Sequence, residues 1–321
     1  MKILFTADIH LKLGQKNVPI EWAKRRYKLL IEQLMQAAVQ TDMLIIGGDI
    51  FDKLPNMEEL EVYYELVANC SLPTIIYPGN HESVKKDTTF FTHLKTVTKL
   101  LNPLVQVVDD YYSTKEFDII PYNKLKDYEK NTSNTFVSLH NKILFTHVRG
   151  EIPPHVKPEI DLSILNTWKV VLAGDLHSYE NSQLNILYPG SPVTTSFHRS
   201  EVTTGIIIFD TDTLQHEWVE LKLPQLIRKT IQVGESMPAT DYHHTIYEVE
   251  GDMAELANMA DSDLIDKKVS KRESDTALML DPTMTLQQEL KEYLLYILQV
   301  NESTVEEVLH ILNNNMDKLN D

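Results

Sequence analysis

The sequence predicts an α/β protein: two packed β-sheets flanked by helices, then a small α+β module and a terminal helical hairpin. Three observations lead there. Strand and helix signals alternate from residue 2 to about 105, as βαβ units with right-handed crossovers and a parallel core do. From there to residue 221 short strand signals dominate, enough for a second sheet packed on the first. Finally, five apolar runs of four to six residues, rich in Ile, Leu and Val, each end in a residue type that binds metals.

In order, the chain opens with a strand at 2–7, then a helix at 20–39, a strand at 43–46, a helix at 57–69, a strand at 73–77 and a helix at 86–101. Further strands are expected at 105–108, 116–120, 135–139, 142–146, 169–172, 184–188, 205–209 and 214–221, with His140-Asn141 as a hairpin turn. The character changes around Pro224. Two alternating stretches, LIRKTIQV and HTIYEVE, precede an acidic segment with a helix at 252–261 and a strand near 274–280. Thr285-x-x-Gln288 and Ser303-x-x-Glu306 read as capping boxes, each opening a helix. One helix carries an apolar stripe through Leu286, Leu290, Tyr293, Leu294, Ile297 and Leu298. The other carries Val305, Val308, Leu309, Leu312, Met316 and Leu319. Such stripes pack either on their own chain or on a partner. The shifts divide the chain into domains at 1–224, 225–282 and 283–321.

Composition narrows the class. With 321 residues and 42% hydrophobic content the chain can bury a sizeable core. Its apolar runs are too short to span a bilayer and it opens directly into a strand, so no signal peptide or membrane span is expected. The single cysteine, Cys70, excludes an internal disulfide framework, fits a reducing cytoplasm and reads as a small buried residue. A net charge of −17 argues against nonspecific nucleic-acid binding over the whole surface. The excess is uneven, however: residues 1–100 carry 12 basic and 12 acidic residues, whereas 225–321 carry 8 and 19.

The five run ends carry the chemistry. They supply Asp8 and His10, Asp49 and Asp52, Asn80 and His81, His147, and Asp175 with His177. Polar residues at the carboxyl ends of strands are where α/β sheets build their sites. One such junction would be an ordinary turn, but five converging on Asp, His and Asn make a two-metal centre. Carboxylate, amide and imidazole donors without thiolate suit Mn²⁺ or Mg²⁺. Asp8, His10 and His177 would hold one ion and Asn80, His147 and Asp175 the other, with Asp49 bridging. Two ions about 3.5–4 Å apart activate water and neutralise a phosphoryl group during in-line displacement. His81 is then placed to stabilise the transition state or protonate the leaving oxygen. The cations near these junctions are Lys12, Lys16, Lys24, Arg25, Arg26, Arg149 and Arg199. The run KRRYK from Lys24 to Lys28 reads as a solvated helix face, whereas Arg149 and Arg199 are the phosphate-contact candidates.

In order and spacing, DxH, GDxxD, GNHE, a later His and GxLH resemble the signature of the calcineurin-like metallophosphoesterases. The segment YPGSPVTTSFHRSE (188–201) is similar to the YxGSPxxxSFxE segment of SbcD-type nucleases, which pair with an SbcC-type ATPase. The resemblance makes this loop, with Ser191, His198 and Arg199, a substrate-side or structural element near the metals. Gly190 and Pro192 would fix its turn, and Thr194, Thr195, Ser196 and His198 could donate to phosphate. It implies a calcineurin-like β-sandwich, a cap after residue 224 and a terminal module that binds the ATPase. The activity implied is a Mn²⁺-dependent DNA nuclease, an exonuclease on duplex ends and an endonuclease on single strands. Its setting would be recombination, repair or phage DNA processing in the bacterial cytoplasm. The chain is shorter than most bacterial members, which points to a phage-type version. A homodimer is also implied, with Leu60, Tyr63, Tyr64 and Val67 of helix 57–69 as one surface, competing with burial in the chain's own core.

Two departures from the family pattern stand out. Asp175 occupies the place of the usual His of GHxH; it can still ligate and shifts preference toward harder ions such as Mg²⁺ and Mn²⁺. Asp52 stands where a His is frequent, either orienting His81, neighbouring a metal or lying in a solvated turn. A small-molecule phosphodiesterase or phosphatase using the same centre, and a scaffold that has lost a metal through the Asp175 change, are the competing readings.

Overall fold

The computed structural model describes residues 1–85, 88–131, 141–238, 242–251, 256, 264–269, 284–298 and 300–317. In chain order its strands are β1 (Lys2–Thr6), β2 (Met43–Gly47), β3 (Thr74–Tyr77), β4 (Ser83–Lys85), β5 (Thr88–Thr89), β6 (Val105–Val107), β7 (Tyr112–Ser113) and β8 (Asp118–Ile120). They continue with β9 (Ile143–His147), β10 (Val170–Gly174), β11 (Ile186–Leu187), β12 (Thr204–Asp210), β13 (His216–Leu221), β14 (Leu226–Gln232), β15 (His244–Gly251) and β16 (Ile265–Val269). The helices are α1 (Ile20–Ala38), α2 (Met57–Asn69), α3 (Phe90–Leu101), α4 (Tyr122–Asn131), α5 (Leu286–Glu292) and α6 (Glu302–Asp317).

One sheet has the order β13-β12-β1-β2-β3-β6, the other β11-β10-β9-β8-β7. β1, β2, β3 and β6 run parallel, as do β8, β9, β10 and β11. β12 and β13 close the first sheet antiparallel. The side-chain period of two sorts each strand between layers. Ile3, Phe5, Ile45 and Ile75 point to a core shared with Ile119, Ile143, Phe145 and Leu172 of the other sheet. Leu4, Leu44, Ile46 and Ile76 point the opposite way, against Tyr27, Leu30, Leu34, Tyr63 and Leu66 of α1 and α2. On the far face Leu144, Val171 and Ala173 pack with Leu125 and Trp168. Each central strand is therefore buried on both sides, which is why its sequence is continuously apolar. Each such Leu or Ile contributes roughly 1.5–3 kcal/mol by leaving water.

The expected elements stand with shifts of a few residues at their ends, with some differences. Helix α4 falls between the strands expected at 116–120 and 135–139, where no element was expected: Tyr122, Leu125 and Tyr128, three residues apart, pack on the third core within an otherwise polar decapeptide. Strand β16 was not expected. The strand at 135–139, the His140 half of the turn and the strand at 274–280 lie outside the described residues, as does the helix at 252–261 apart from Leu256. In helix α2, Tyr63 and Val67 are buried in the core with α1, and Leu60 and Tyr64 pack against it half-buried. Cys70 is buried, and its thiol donates to Leu66 O.

The chain forms two compact units, Met1–Val249 with Ala260–Lys267, and Glu250–Met259 with Lys268–Asp321. β14 and most of β15 fall in the first, beyond the boundary expected at 224. The reason is local: His198 N donates to Leu226 O, Arg228 N donates to His198 O, and Gln225 exchanges hydrogen bonds with Val202. In the second unit, Thr285 and Gln288 form the expected capping box of α5, whose end runs into a π turn over Tyr293–Ile297. The other cap is shifted. Asn301, not Ser303, accepts the Thr304 N–H at the start of α6. Leu294 and Val305 are buried, while Leu286, Tyr293, Leu298 and Ile311 remain exposed.

Candidate metal centre

The ends of β1, β2, β9 and β10, with the β3 loop, meet at one point. Asp8, His10, Asp49 and Asp175 all have positive φ, of 57°, 48°, 50° and 103°. The chain must turn left-handed directly after each strand, and Asp tolerates this better than most residues. The loops then brace one another: Asp8 N donates to Gly48 O and His10 N to Asp49 O. A Cβ on Gly79 would sit 2.2 Å from Asp49 Oδ1, so this close approach needs glycine.

Glu82 holds the crossing. Its buried carboxylate accepts from the backbone N–H groups of Asp49, Phe51 and Gly79 at 2.8–2.9 Å. Burial, then the charge of Asp49, raises its pKa to about 7 against the opposing pull of those donors. Sequence reasoning gave it no role, although the last letter of GNHE was the signal. Arg26 was likewise misread as solvated. It is 2% exposed, donates to Thr194 O at 2.9 Å and lies against the rings of Trp22 and Tyr27. Tyr27 in turn donates to His10 O and accepts from Lys12 N.

Asp49 Oδ2 is the hub. His147 Nε2 lies 3.4 Å away, His10 Nε2 3.7 Å and His81 Nε2 3.9 Å. Backbone carbonyls fix the tautomers. Nδ1 of His147 donates to Gly47 O at 2.8 Å and Nδ1 of His81 to Asp52 O at 2.6 Å, so both Nε2 atoms face the cluster. His10 and His177 meet Nε2 to Nε2 at 3.1 Å, and Thr195 Oγ1 lies 3.3 Å from His177 Nδ1. Three groups could each hold a cation within 4.8 Å spacing: Asp8, His10 and His177; His10, Asp49 and His81; and Asp8, Asp49 and His147.

Burial pushes Asp8 well above the usual carboxylate range, against the pull of His147. Burial also works to raise Asp49, but the charge and hydrogen bond of His147 bring it below that range. Burial opposes a charge on His147, yet Asp49, Asp8 and Asp175 outweigh it and hold its pKa well up. Burial presses His10 down to about 3. The cluster is short of positive charge and recruits a proton on His147, a role that divalent ions fill by displacing protons. Asn80 tells the same story. Its amide oxygen lies 2.9 Å from His147 Nε2 but also 3.1 and 2.9 Å from the Asp49 oxygens, which are acceptors like itself. Either the amide turns to donate, or a cation sits between them. The oxygen and imidazole donor set fits divalent ions.

The remaining expected residues divide. Asp175 N donates to both Asp8 oxygens, and its carboxylate lies 3.9 Å from His147 Nε2. That carboxylate is also gripped by Arg149, through Nε at 3.0 Å and a terminal nitrogen at 3.2 Å. Behind the pair, Glu159 accepts from Arg149 N and from Tyr122 OH. Asp52 orients His81 through its main-chain carbonyl, while its carboxylate takes Lys12 Nζ at 2.8 Å and lies 3.7 Å from His10 Nδ1. Ser191 is tied to the backbone: its buried hydroxyl lies 2.7 Å from Asp8 O and 2.6 Å from Val193 O. Arg199 pairs with Thr230 Oγ1 and Glu248. His198 lines a cleft that also touches His177.

The profile of the Calcineurin-like phosphoesterase family matches residues 1–179, the span that holds every candidate ligand. The chain belongs to that family. It is 44% identical over 320 residues to the "Probable exonuclease subunit 1" of Escherichia phage T5, covering 96% of this chain and 97% of that protein. It is 22% identical over 258 residues to the "Putative phosphoesterase 078R" of Invertebrate iridescent virus 3, covering 74% of this chain and 70% of that one. A solved structure of a novel archaeal phosphodiesterase aligns with TM-score 0.39 and 14% identity over 69% of this chain and all of its own.

Proposed function

We propose that the protein is a two-metal DNA nuclease, the nuclease subunit of an SbcC/SbcD-like complex. The observation that carries the reading is the hub at Asp49 Oδ2, reached by the Nε2 atoms of His147, His10 and His81 within 3.4–3.9 Å. Asp8, His10 and His177 would hold one ion, and Asn80, His147 and Asp175 the other, with Asp49 shared. When bound, two such ions, most naturally Mn²⁺ with Mg²⁺ as the other fit, polarise a phosphodiester and make water nucleophilic near neutral pH. The chain's own residues supply the rest. Glu82 holds the Asp49 and Gly79 loops in register. His81, its Nδ1 committed to Asp52 O, has Nε2 as the atom at which a proton reaches the leaving oxygen. The 44% identity to a phage exonuclease subunit supports DNA as substrate and an assembly with a partner. We assign duplex-end exonuclease and single-strand endonuclease activity, with an SMC-like ATPase partner engaged by the exposed apolar residues of α5 and α6. Recombination, repair or phage DNA processing would be its setting.

The test is Mn²⁺-dependent degradation of end-labelled duplex DNA, with and without the ATPase, using His81→Ala as control. Digestion requiring metal and His81 and raised by the partner is the expected result. Intact DNA alongside brisk hydrolysis of bis(p-nitrophenyl) phosphate would assign a small-molecule phosphodiesterase instead.

A further inference from the structure

We propose that the cleft beside His177 is a nucleobase pocket, holding a base of the strand whose phosphate the metal centre engages; this rests on the nuclease reading above. The cleft has a volume of about 610 Å³, and His177 forms part of its wall. That volume lies within the roughly 300–1,000 Å³ of sites that enclose one small-molecule-sized group. Cleft and centre are joined by a direct contact, because Thr195 Oγ1, on the lining, lies 3.3 Å from His177 Nδ1.

The lining selects against phosphate and for a flat, neutral, hydrogen-bonding group. Among the described residues the lining has no Lys or Arg, and it includes Glu180 and Glu201, whose negative charge disfavours an anion. Leu176 and Val193, 5% and 2% exposed, give an apolar wall, extended by Val202. The hydroxyl-bearing Ser178, Thr195, Ser196 and Thr203, with Asn181 and His198, are on the same lining. A nucleobase has that pair of properties, apolar faces and a polar edge, and deoxyribose lacks the broad faces. A carboxylate and hydroxyl rim accepts hydrogen bonds from exocyclic amino groups, which adenine, cytosine and guanine carry and thymine does not. A base can enter only when unstacked from its neighbour. The pocket therefore favours frayed or single-stranded ends over a closed duplex.

The experiment is calorimetric titration of the full chain, with Mn²⁺ present, using 2′-deoxyadenosine 5′-monophosphate and 2-deoxyribose 5-phosphate. The base should add about tenfold or more in affinity. Ser196→Trp and Thr203→Trp, both at exposed positions, should each bring the ratio of the two affinities close to one. In parallel, DNA ending in an abasic analogue should be cut about tenfold more slowly than DNA ending in adenosine. Equal affinities for the two ligands, or a ratio that neither variant alters, would overturn the pocket even if DNA is degraded. An intact ratio with no DNA cleavage would leave the pocket standing and sink the nuclease reading instead.

Discussion

Asp49 shows how much can hang on one carboxylate, since three imidazoles converge on its Oδ2. Asp49→Asn keeps the shape and removes the charge. It should lower phosphodiester turnover by about 10³-fold, the value of several kcal/mol of lost electrostatic stabilisation. Mn²⁺ titration should show weakened binding at both ions, and loss of turnover with unchanged metal binding would contradict the shared role. Arg149 separates two explanations. As the group that grips Asp175, its replacement by Ala should weaken metal affinity about 10–100-fold, with partial recovery in Arg149→Lys. A plain phosphate contact would instead raise KM and leave metal affinity untouched. Cys70 is the quiet case: burial pushes its thiol up to about 11, from 9.0. The fold tolerates the neutral thiol, so any stability from burying it is complete below about pH 9 and lost as pH rises through the folded value. At pH 8, Ellman's reagent should label the native protein no faster than the protein unfolds.

At the scale of elements, the junctions after the strands bear the strain and the helices hold it. Residues in left-handed backbone other than glycine cost roughly 1–3 kcal/mol each where the surroundings must over-determine them. Here Glu82 clamps the loops after β2 and β3, while Arg26 and Tyr27 tie α1 to the Thr194 and His10 loops. Gly79→Ala places a methyl group 2.2 Å from Asp49 Oδ1, so the hub must move. A displacement of about 1 Å should lower turnover about 10²-fold, read as kcat on bis(p-nitrophenyl) phosphate. Arg26→Leu leaves Thr194 O without its charged donor inside the core. A loss of about 2–3 kcal/mol in urea unfolding is expected, and a loss below 0.5 would mean that the guanidinium is dispensable there. The run KRRYK illustrates why this was hidden: a helical period marks which residues share a face, but charged residues default to solvent until a neighbouring loop is known to need a donor.

Over the whole molecule, two sheets present the carboxyl ends of their parallel strands to one site, and neither sheet alone brings all the candidate ligands together. β1 and β2 bring Asp8, His10 and Asp49, whereas β9 and β10 bring His147, Asp175 and His177. The exposed Leu286, Tyr293, Leu298 and Ile311 of the terminal helices belong to this scale too. If these residues dock the proposed ATPase partner, Leu298→Glu and Ile311→Glu should each reduce its stimulation of cleavage about tenfold, the cost of a lost interface anchor. Stimulation unchanged in both would move the docking surface elsewhere. Among the described residues no helix is long and apolar enough to cross a membrane. The sequence by itself determined the parallel strands of the two sheets, the Asp, His and Asn residues that end them and the family, because buried parallel strands need unbroken apolar runs and the family's signature is written in specific side chains. Tertiary structure alone decided that Ser191 faces Asp8 O, that Arg199 turns to Glu248 and that Arg149 grips Asp175. Those roles depend on which loop lies opposite, a distance through space of about 3 Å between residues up to 183 positions apart along the chain.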